Sequence, residues 1–415
     1  MTGMQVVSAV AISVLLSCTL AAESAPDPAG GGFVTRQGSK LLLNGKEYRA
    51  IGVNIPCLHQ CYLGTWFHVG QIYGSPEKAK QAMVAAIEDC EKSNLKFVRF
   101  FADPGYPRDR AMLYDKDPAA YWQGMDELFA LCKQHNLKLI PSLQTLPGPY
   151  GIFGETGQSI LDPNSKTYEA VHRYVREFVT RYKDDPTVLM WELVNEGMLG
   201  ADVEMEGRKL LPKGVYPPGA TPREDGHNTD TLSYAMIVRL YKEHAAFIKS
   251  LDPNHMVTSG DGCVREECTS RRETFPNFKF RSDTWREWLA NNLASQPEPL
   301  DVFSYHFYGS SGVIAGAGKP WAGMTDVEWM RALVRASRAA NAPVFIGEFG
   351  TSPGNSSDPS SKWLRECIPV LEEEGASLMA FWVWHFPWQK DLTLDSKTYP
   401  ELVKCAGEFN RRHAQ

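Results

Sequence analysis

The sequence predicts an α/β fold of the (β/α)8 TIM-barrel class, one domain with long loops over the carboxyl ends of its strands. Two observations carry the prediction. Eight short apolar segments, rich in β-branched and large side chains, recur along the 415 residues and alternate with segments of helical period. That alternation suits a closed barrel better than an open doubly wound sheet, and no glycine-rich phosphate loop follows the first strand.

Residues 1–24 read as a signal peptide. Val6 to Leu20 is apolar but short for a membrane span, and small residues follow at Ala21, Ala22, Ser24 and Ala25. No Lys or Arg precedes it, and Ser17-Cys18 leaves lipid anchoring at Cys18 as a weaker alternative. No other segment is apolar enough to span a bilayer, so secretion is expected. Residues 25–32 form a Pro/Gly linker, and residues 33–415 the folded domain. It opens with a small hairpin, Phe33–Thr35 and Lys40–Lys46, with Asn44-Gly45 as its turn.

The predicted barrel strands are Tyr48–Ile55, Phe97–Phe101, Leu137–Leu143, Val188–Asn195, Met256–Ser259, Val302–Phe307, Val344–Phe349 and Leu378–Trp384. Predicted helices between them are Pro76–Ser93, Tyr121–His135, Lys166–Tyr182, Leu232–Ser250, Asp326–Ala340 and Ser361–Glu374. Two connections are long, Gly197–Thr231 and Asp261–Leu300. Long loops in a compact domain are commonly functional, and on a barrel they would wall the mouth.

Apolar content of 43% and charged content of 22% suit a soluble globular enzyme, and a net charge of −6 argues against a general nucleic-acid binder. A monomer is expected. Without Cys18, eight cysteines remain: Cys57, Cys61, Cys90, Cys132, Cys263, Cys268, Cys367 and Cys405. An even count in a secreted chain predicts disulfides of undetermined pairing. The pairs Cys57/Cys61 and Cys263/Cys268 lack the spacing of zinc knuckles.

The strand ends carry the chemistry. The second strand offers Arg99, the fourth Asn195-Glu196, the sixth His306 and Tyr308, the seventh Glu348, and the eighth Trp382. A carboxylate at such a strand end sits at the mouth of the barrel. The fourth and seventh strands lie three apart in a barrel of eight, so Glu196 and Glu348 can face each other across it. Glycoside hydrolysis by double displacement needs these residue types: one carboxylic acid protonates the leaving oxygen, and the other attacks the anomeric carbon. Asn195 would donate to the sugar 2-hydroxyl. Tyr308 and Arg99 would keep Glu348 ionised, His306 would tune Glu196, and Trp382 would offer an apolar face to a pyranose ring.

Two positions need care. Glu192, four residues before Glu196, would lie roughly 13 Å below the mouth of a regular strand, too deep for a sugar, and reads as a structural carboxylate. Strict alternation also forbids Asn195 and Glu196 from both pointing inward, so the strand must end or bulge at Asn195. Loop aromatics that would rim a cleft are Tyr62, Trp66, Phe67, Tyr106, Tyr150, Phe153, Trp285, Trp288, Trp321 and Trp388.

The chain resembles glycoside hydrolase family five. The carrying residues are Trp191–Glu196, His306-Phe307-Tyr308, Ile346–Gly350 and Phe381-Trp382, with Arg99 on the second strand. The resemblance runs from about Phe33 to the end of the eighth strand, and implies Glu196 as acid/base and Glu348 as nucleophile. The opening stretch, Leu43–Lys46 and Ala50–Asn54, is similar to the family's β-mannanases. Where many relatives have Pro after the acid/base this chain has Gly197, and where cellulase-like members have a His after the third strand it has Gln144. The expectation is a secreted retaining hydrolase of β-1,4-mannan-type polysaccharide, without metal or cofactor. The alternatives are a β-glucanase or cellulase of the same family and a non-catalytic carbohydrate-binding barrel. The scattered His59, His68, His227, His255 and His306 give little support to a metal-dependent hydrolase. Asn355-Ser356-Ser357 matches a glycosylation acceptor.

Overall fold

A computed structural model describes residues 32–102, 109–143, 145–146, 150–203, 231–274, 281–308, 324–350 and 361–414. The expected signal peptide with Cys18, and Tyr106, Gln144, His227, Trp321 and Asn355, lie outside the described residues. A three-stranded antiparallel meander comes first: β1 (Val34–Gln37), β2 (Lys40–Leu43) and β3 (Lys46–Glu47). Asn44 and Gly45 both have positive φ, 51° and 76°, and form the turn between β2 and β3. The expected hairpin thus gains a second turn, at Gly38-Ser39, where Gly38 has φ 60°.

Eight parallel strands follow: β4 (Ala50–Asn54), β5 (Phe97–Phe101), β6 (Lys138–Ser142), β7 (Met190–Glu192), β8 (Met256–Thr258), β9 (Phe303–Tyr308), β10 (Val344–Gly350) and β11 (Leu378–Phe381). Each pairs with its neighbours in order, and β11 pairs back onto β4. A parallel bridge from Thr258 to Val302 closes the ring, supported by Thr258 Oγ1 donating to the Val302 carbonyl at 2.9 Å. All eight predicted strands are present, and β7 is shorter than expected.

The six predicted helices form as Pro76–Lys92, Pro118–Gln134, Lys166–Tyr182, Tyr234–Leu251, Asp326–Ala339 and Ser361–Glu374. Serine caps explain three starts: Ser75, Ser165 and Ser233 each accept a backbone N–H of the first turn. The second helix starts three residues early because Asp117 caps it and Pro118 suits the first turn. Trp285–Ala294 and Pro400–His413 were not expected. The terminal helix docks through buried Asn410, which accepts from Ile51 N at 2.7 Å and donates to Ile51 O at 2.9 Å.

The core has two parts. One lies between strands and helices; the other packs the lower barrel, where Ala50, Phe97, Ile140, Met190, Met256, Phe345 and Leu378 meet the meander's Val34, Leu41 and Leu43. The disulfide expectation is corrected: no disulfide joins any of the eight cysteines. Six of them are buried, and burial pushes the Cys132 and Cys268 thiols up to about 12. A barrel of this size buries enough apolar surface to be stable without cross-links, and cysteine serves it as a small apolar residue.

Candidate active site

Alternation along the strands lifts polar side chains above that apolar floor. Two residues beyond Phe97 on β5 stands Arg99; two beyond Met190 on β7 stands Glu192; four beyond Ala50 on β4 stands Asn54. Arg99 is fully buried and all three of its nitrogens are used. Nε donates to Glu192 at 2.8 Å, Nη1 to Asn54 Oδ1 at 2.8 Å and Glu348 Oε1 at 3.1 Å, and Nη2 to Asn195 Oδ1 at 2.7 Å. Burial works against its charge, but Glu192 and Glu348 hold the guanidinium above its ordinary range. Arg99 is therefore the partner of Glu192. Glu192 is thus a structural carboxylate, and through that one guanidinium it is linked to Glu348.

Glu348 reaches the mouth through a bulge. Phe345 faces the lower barrel, so strict alternation would turn Glu348, three residues on, outward. Between Ile346 and Glu348 the pairing of β10 with β9 skips one residue, the extra one being Gly347. The bulge reverses the parity and aims Glu348 inward. Glycine keeps this spot uncrowded, since a Cβ would press on His306 Nε2 at 3.0 Å and Ser304 Oγ at 3.1 Å. The Gly347 carbonyl accepts from Asn54 Nδ2 at 2.9 Å.

Glu196 arrives by a different device. β7 ends at Glu192, and Glu196 itself has φ 53° and ψ 39°, the left-handed region. Its N–H donates to the Gly260 carbonyl at 3.1 Å. Gly260, φ 80°, permits this approach, because a Cβ there would lie 1.9 Å from the Val194 carbonyl oxygen. The left-handed step lets Asn195 and Glu196 both serve the site, as the sequence required.

The two carboxyls meet at His306. Its Nδ1 lies 2.9 Å from Glu196 Oε1 and 3.5 Å from Glu348 Oε2. One oxygen of each glutamate and a His306 nitrogen fall within 4.8 Å of one another. Burial pulls the imidazole down to about 4, so the ring is neutral near pH 7. His306 Nε2 is buried with no acceptor, which assigns the single proton to Nδ1, donating to Glu196. The Tyr308 hydroxyl donates to Glu348 Oε2. Burial, then the Glu348 charge, raise that phenol well above its ordinary range, so it remains a donor. Burial raises both glutamates: Arg99 and Arg265 oppose this at Glu196; at Glu348 the Glu196 charge adds to it, and His306, Arg99 and Tyr308 oppose it.

Trp382 is half-buried; its Nε1 donates to Gln389 Oε1 at 2.8 Å and its ring lies 6.4 Å from Phe101. Gly350 admits it, since a Cβ there would touch Tyr308 at 3.1 Å and Trp382 at 3.2 Å. Trp384 belongs to the core, with no exposure and Nε1 on the Ala86 carbonyl at 3.3 Å. Half of the eight described loop aromatics are packing residues: Tyr62, Trp66, Tyr150 and Trp288 are buried. Phe67 (58% exposed) and Trp388 (44%) are the exposed large hydrophobics among the described residues. They meet: His68 stacks on Trp388 at 3.8 Å and touches Phe67 at 4.0 Å, with Trp66 behind.

The structure brings Arg99, Asn195, Glu196, His306, Tyr308 and Glu348 together, with Trp382 beside Tyr308 at Gly350. Sequence reasoning missed Asn54, Arg265 and Asp261. Asn54 had a signal, alternation with Ala50 and Gly52; the other two lie in a long loop and had none. Glu196, His306 and Glu348 also form the one grouping among the described residues with the donor types for a metal ion. Arg99 and Tyr308 already engage Glu348, however, and a cation would have to compete with a guanidinium there. No described helix is long and apolar enough to cross a membrane.

Fold and site together define a barrel enzyme with paired carboxyls. The family model for Cellulase (glycosyl hydrolase family 5) matches residues 60–386, and the chain belongs to that family: it is a glycoside hydrolase. Similar curated proteins include mannan endo-1,4-beta-mannosidase F of Aspergillus clavatus, 26% identical over 364 residues, covering 82% of this chain and 69% of that one. Mannan endo-1,4-beta-mannosidase 7 of Arabidopsis thaliana is 24% identical over 375 residues, covering 82% and 73%. Among solved structures, the endo-1,4-beta-mannanase from Rhizomucor miehei superposes with TM-score 0.57 at 20% identity, covering 91% of this chain and 100% of that one, and so shares the fold.

Proposed function

We propose that the protein is a secreted, monomeric hydrolase of β-1,4-mannan-type polysaccharide that acts with retention, Glu196 serving as general acid/base and Glu348 as nucleophile. The observation that carries this reading is the approach of the two carboxyls, oxygens within 4.8 Å. Retention asks for roughly 5–5.5 Å between carboxyl groups, and inversion for about 6.5–9.5 Å. The division of roles follows from the donors. Among the described residues, Glu348 receives Arg99 and Tyr308, whereas Glu196 receives only neutral His306. A shared proton therefore resides on Glu196, and Glu348 is the anion.

In the first step Glu348 attacks the anomeric carbon as Glu196 passes its proton to the leaving oxygen. In the second, Glu196 takes a proton from water, whose oxygen displaces Glu348. Asn195, oriented by Arg99, is placed to bond the sugar 2-hydroxyl, and Trp382 to stack under the ring. The exposed Phe67–Trp388 platform, tied to Trp382 through Gln389, suits further pyranose units of a polymer. Mannan is favoured by the similar mannan endo-1,4-beta-mannosidases; the match to the Cellulase family keeps β-1,4-glucan as the second reading. The leader-like residues 1–24 support secretion.

Purified protein incubated with mannan, glucomannan and β-glucan tests the reading. Reducing ends should appear fastest from mannan, and NMR of the first product should show the β-anomer. An α-anomer as first product rejects the double displacement, and preference for β-glucan selects the second reading.

A further inference from the structure

Asp261, just beyond β8, is buried and takes no part in the steps above. Its Oδ1 accepts the Met198 N–H at 2.8 Å, so its carboxyl anchors the short turn Gly197–Gly200 that follows Glu196. Tyr241 closes in on the same turn: a Cβ on Gly197 would lie 2.3 Å from the Tyr241 hydroxyl oxygen. This contact accounts for Gly197, since neither alanine nor proline fits under that hydroxyl. Asp261 Oδ2 and the Tyr241 hydroxyl are both buried without another partner, and each lies in the other's field.

We propose that Asp261 is a positioning residue for Glu196: with Tyr241 it clamps the turn that carries this carboxyl, and its charge helps Glu196 keep a proton. The proposal rests on the acid/base reading of Glu196. Burial pushes Asp261 up to about 7; Glu196 and Glu192 add to this, while the Met198 N–H and Tyr241 oppose it. Cys263 and Tyr234 also face it, and burial keeps both protonated.

The groups facing Glu196 are Arg99, Arg265, His306, Glu348, Tyr308 and Cys263. Arg99 stays charged, while His306, Tyr308 and Cys263 stay neutral near pH 7. Apart from Glu348, Asp261 is thus the neighbour poised to change charge there. The Glu196 charge raises Asp261, and because coupling between two carboxyls is mutual, an ionised Asp261 makes a second negative charge on Glu196 more costly and keeps the acid protonated to higher pH.

The test is the pH profile of kcat/KM for Asp261→Asn on a mannan oligosaccharide, with Glu196→Gln in parallel. Asparagine keeps an acceptor for Met198 but loses the charge. The alkaline limb should move to lower pH by on the order of one unit, the size of one charge removed at short range in a medium of effective dielectric about 20. The acid limb should stay. A uniform loss at every pH, or an unchanged profile, overturns the proposal. If Glu196→Gln is as active as wild type, the acid/base reading fails instead. Should Asp261→Asn not fold, Gly197→Ala keeps the question open to test. It should lower kcat by pressing on Tyr241, and Gly197→Ala/Tyr241→Phe should recover part of it. No effect of Gly197→Ala would overturn the clamp.

Discussion

The two ends of the barrel are built from the same strands and have opposite chemistry. At the closed end, Ala50, Phe97, Ile140, Met190, Met256 and Phe345 point inward and pack on the meander. One or two steps along the same strands, the inward positions become Asn54, Arg99, Ser142, Glu192 and Thr258. The closed end stabilises by removing apolar surface from water. The open end gathers a guanidinium and three carboxyls out of water, which is costly unless each charge is bonded. Arg99 resolves this by serving Glu192, Glu348, Asn54 and Asn195 together. The difference teaches that an apolar floor is what lets a few donors control two glutamates at the mouth: there is little water to compete.

The largest expected effect breaks the open end alone. Glu348→Ala and Glu196→Gln should each lower kcat by roughly a hundred- to ten-thousand-fold or more, the range for removing a positioned acid or base. Circular dichroism and thermal unfolding should remain near wild type. Wild-type turnover in either would remove the paired-carboxyl centre from consideration.

A pair of substitutions two residues apart on β5 sharpens the contrast. Arg99→Met strands Glu192 and should cost about 3–5 kcal/mol of stability, as breaking a buried ion pair does. Phe97→Ala should cost a similar amount, about 3–5 kcal/mol, through the cavity it leaves. Urea titration would measure both. Only Arg99→Met should also lose turnover at temperatures where the variant is folded. If Phe97→Ala loses kcat equally, the two ends are not independent.

The smallest effect concerns acid stability. Burial pulls His306, at the mouth, down to about 4, and His244, in the helical layer beside His172, down to about 3. Both are neutral in the folded chain, while the unfolded chain protonates them below about 6.5. Their contribution is therefore present above pH 6.5 and is lost as pH falls from there through 4 and then 3. His244→Leu should flatten this decline in unfolding free energy by up to about 1.4 kcal/mol per pH unit. Unfolding measured at pH 7 and pH 4.5 checks it. An equal decline in wild type and variant would assign acid sensitivity to the open end.

Much of the molecule was legible before folding. Strand identity followed from apolar segments such as Phe97–Phe101 and Val344–Phe349, and helix starts from caps such as Ser165 and Ser233. The helix Pro400–His413 was missed although Pro400, Leu402, Val403, Ala406 and Phe409 carry a helical signal. The two glutamates were recognised as strand-end carboxyls, and Arg99, Asn195, His306, Tyr308 and Trp382 as their surroundings. Legibility failed where a side chain's direction depends on a neighbouring strand. Glu192 was read as structural but its partner Arg99, on another strand, was not identified, and loop aromatics such as Trp288 looked like cleft walls because burial is a property of the assembled fold.

The amino-acid sequence by itself determined the barrel, its order of elements and the inventory at the mouth, because hydrophobic period and residue type are local properties. Tertiary structure alone decided where the two carboxyls point. Glu348 turns inward because β9 imposes a bulge at Gly347, and Glu196 turns inward because the Gly260 carbonyl holds it in a left-handed conformation. Both devices are contacts between strands distant in the chain, and no pattern along a single strand encodes them.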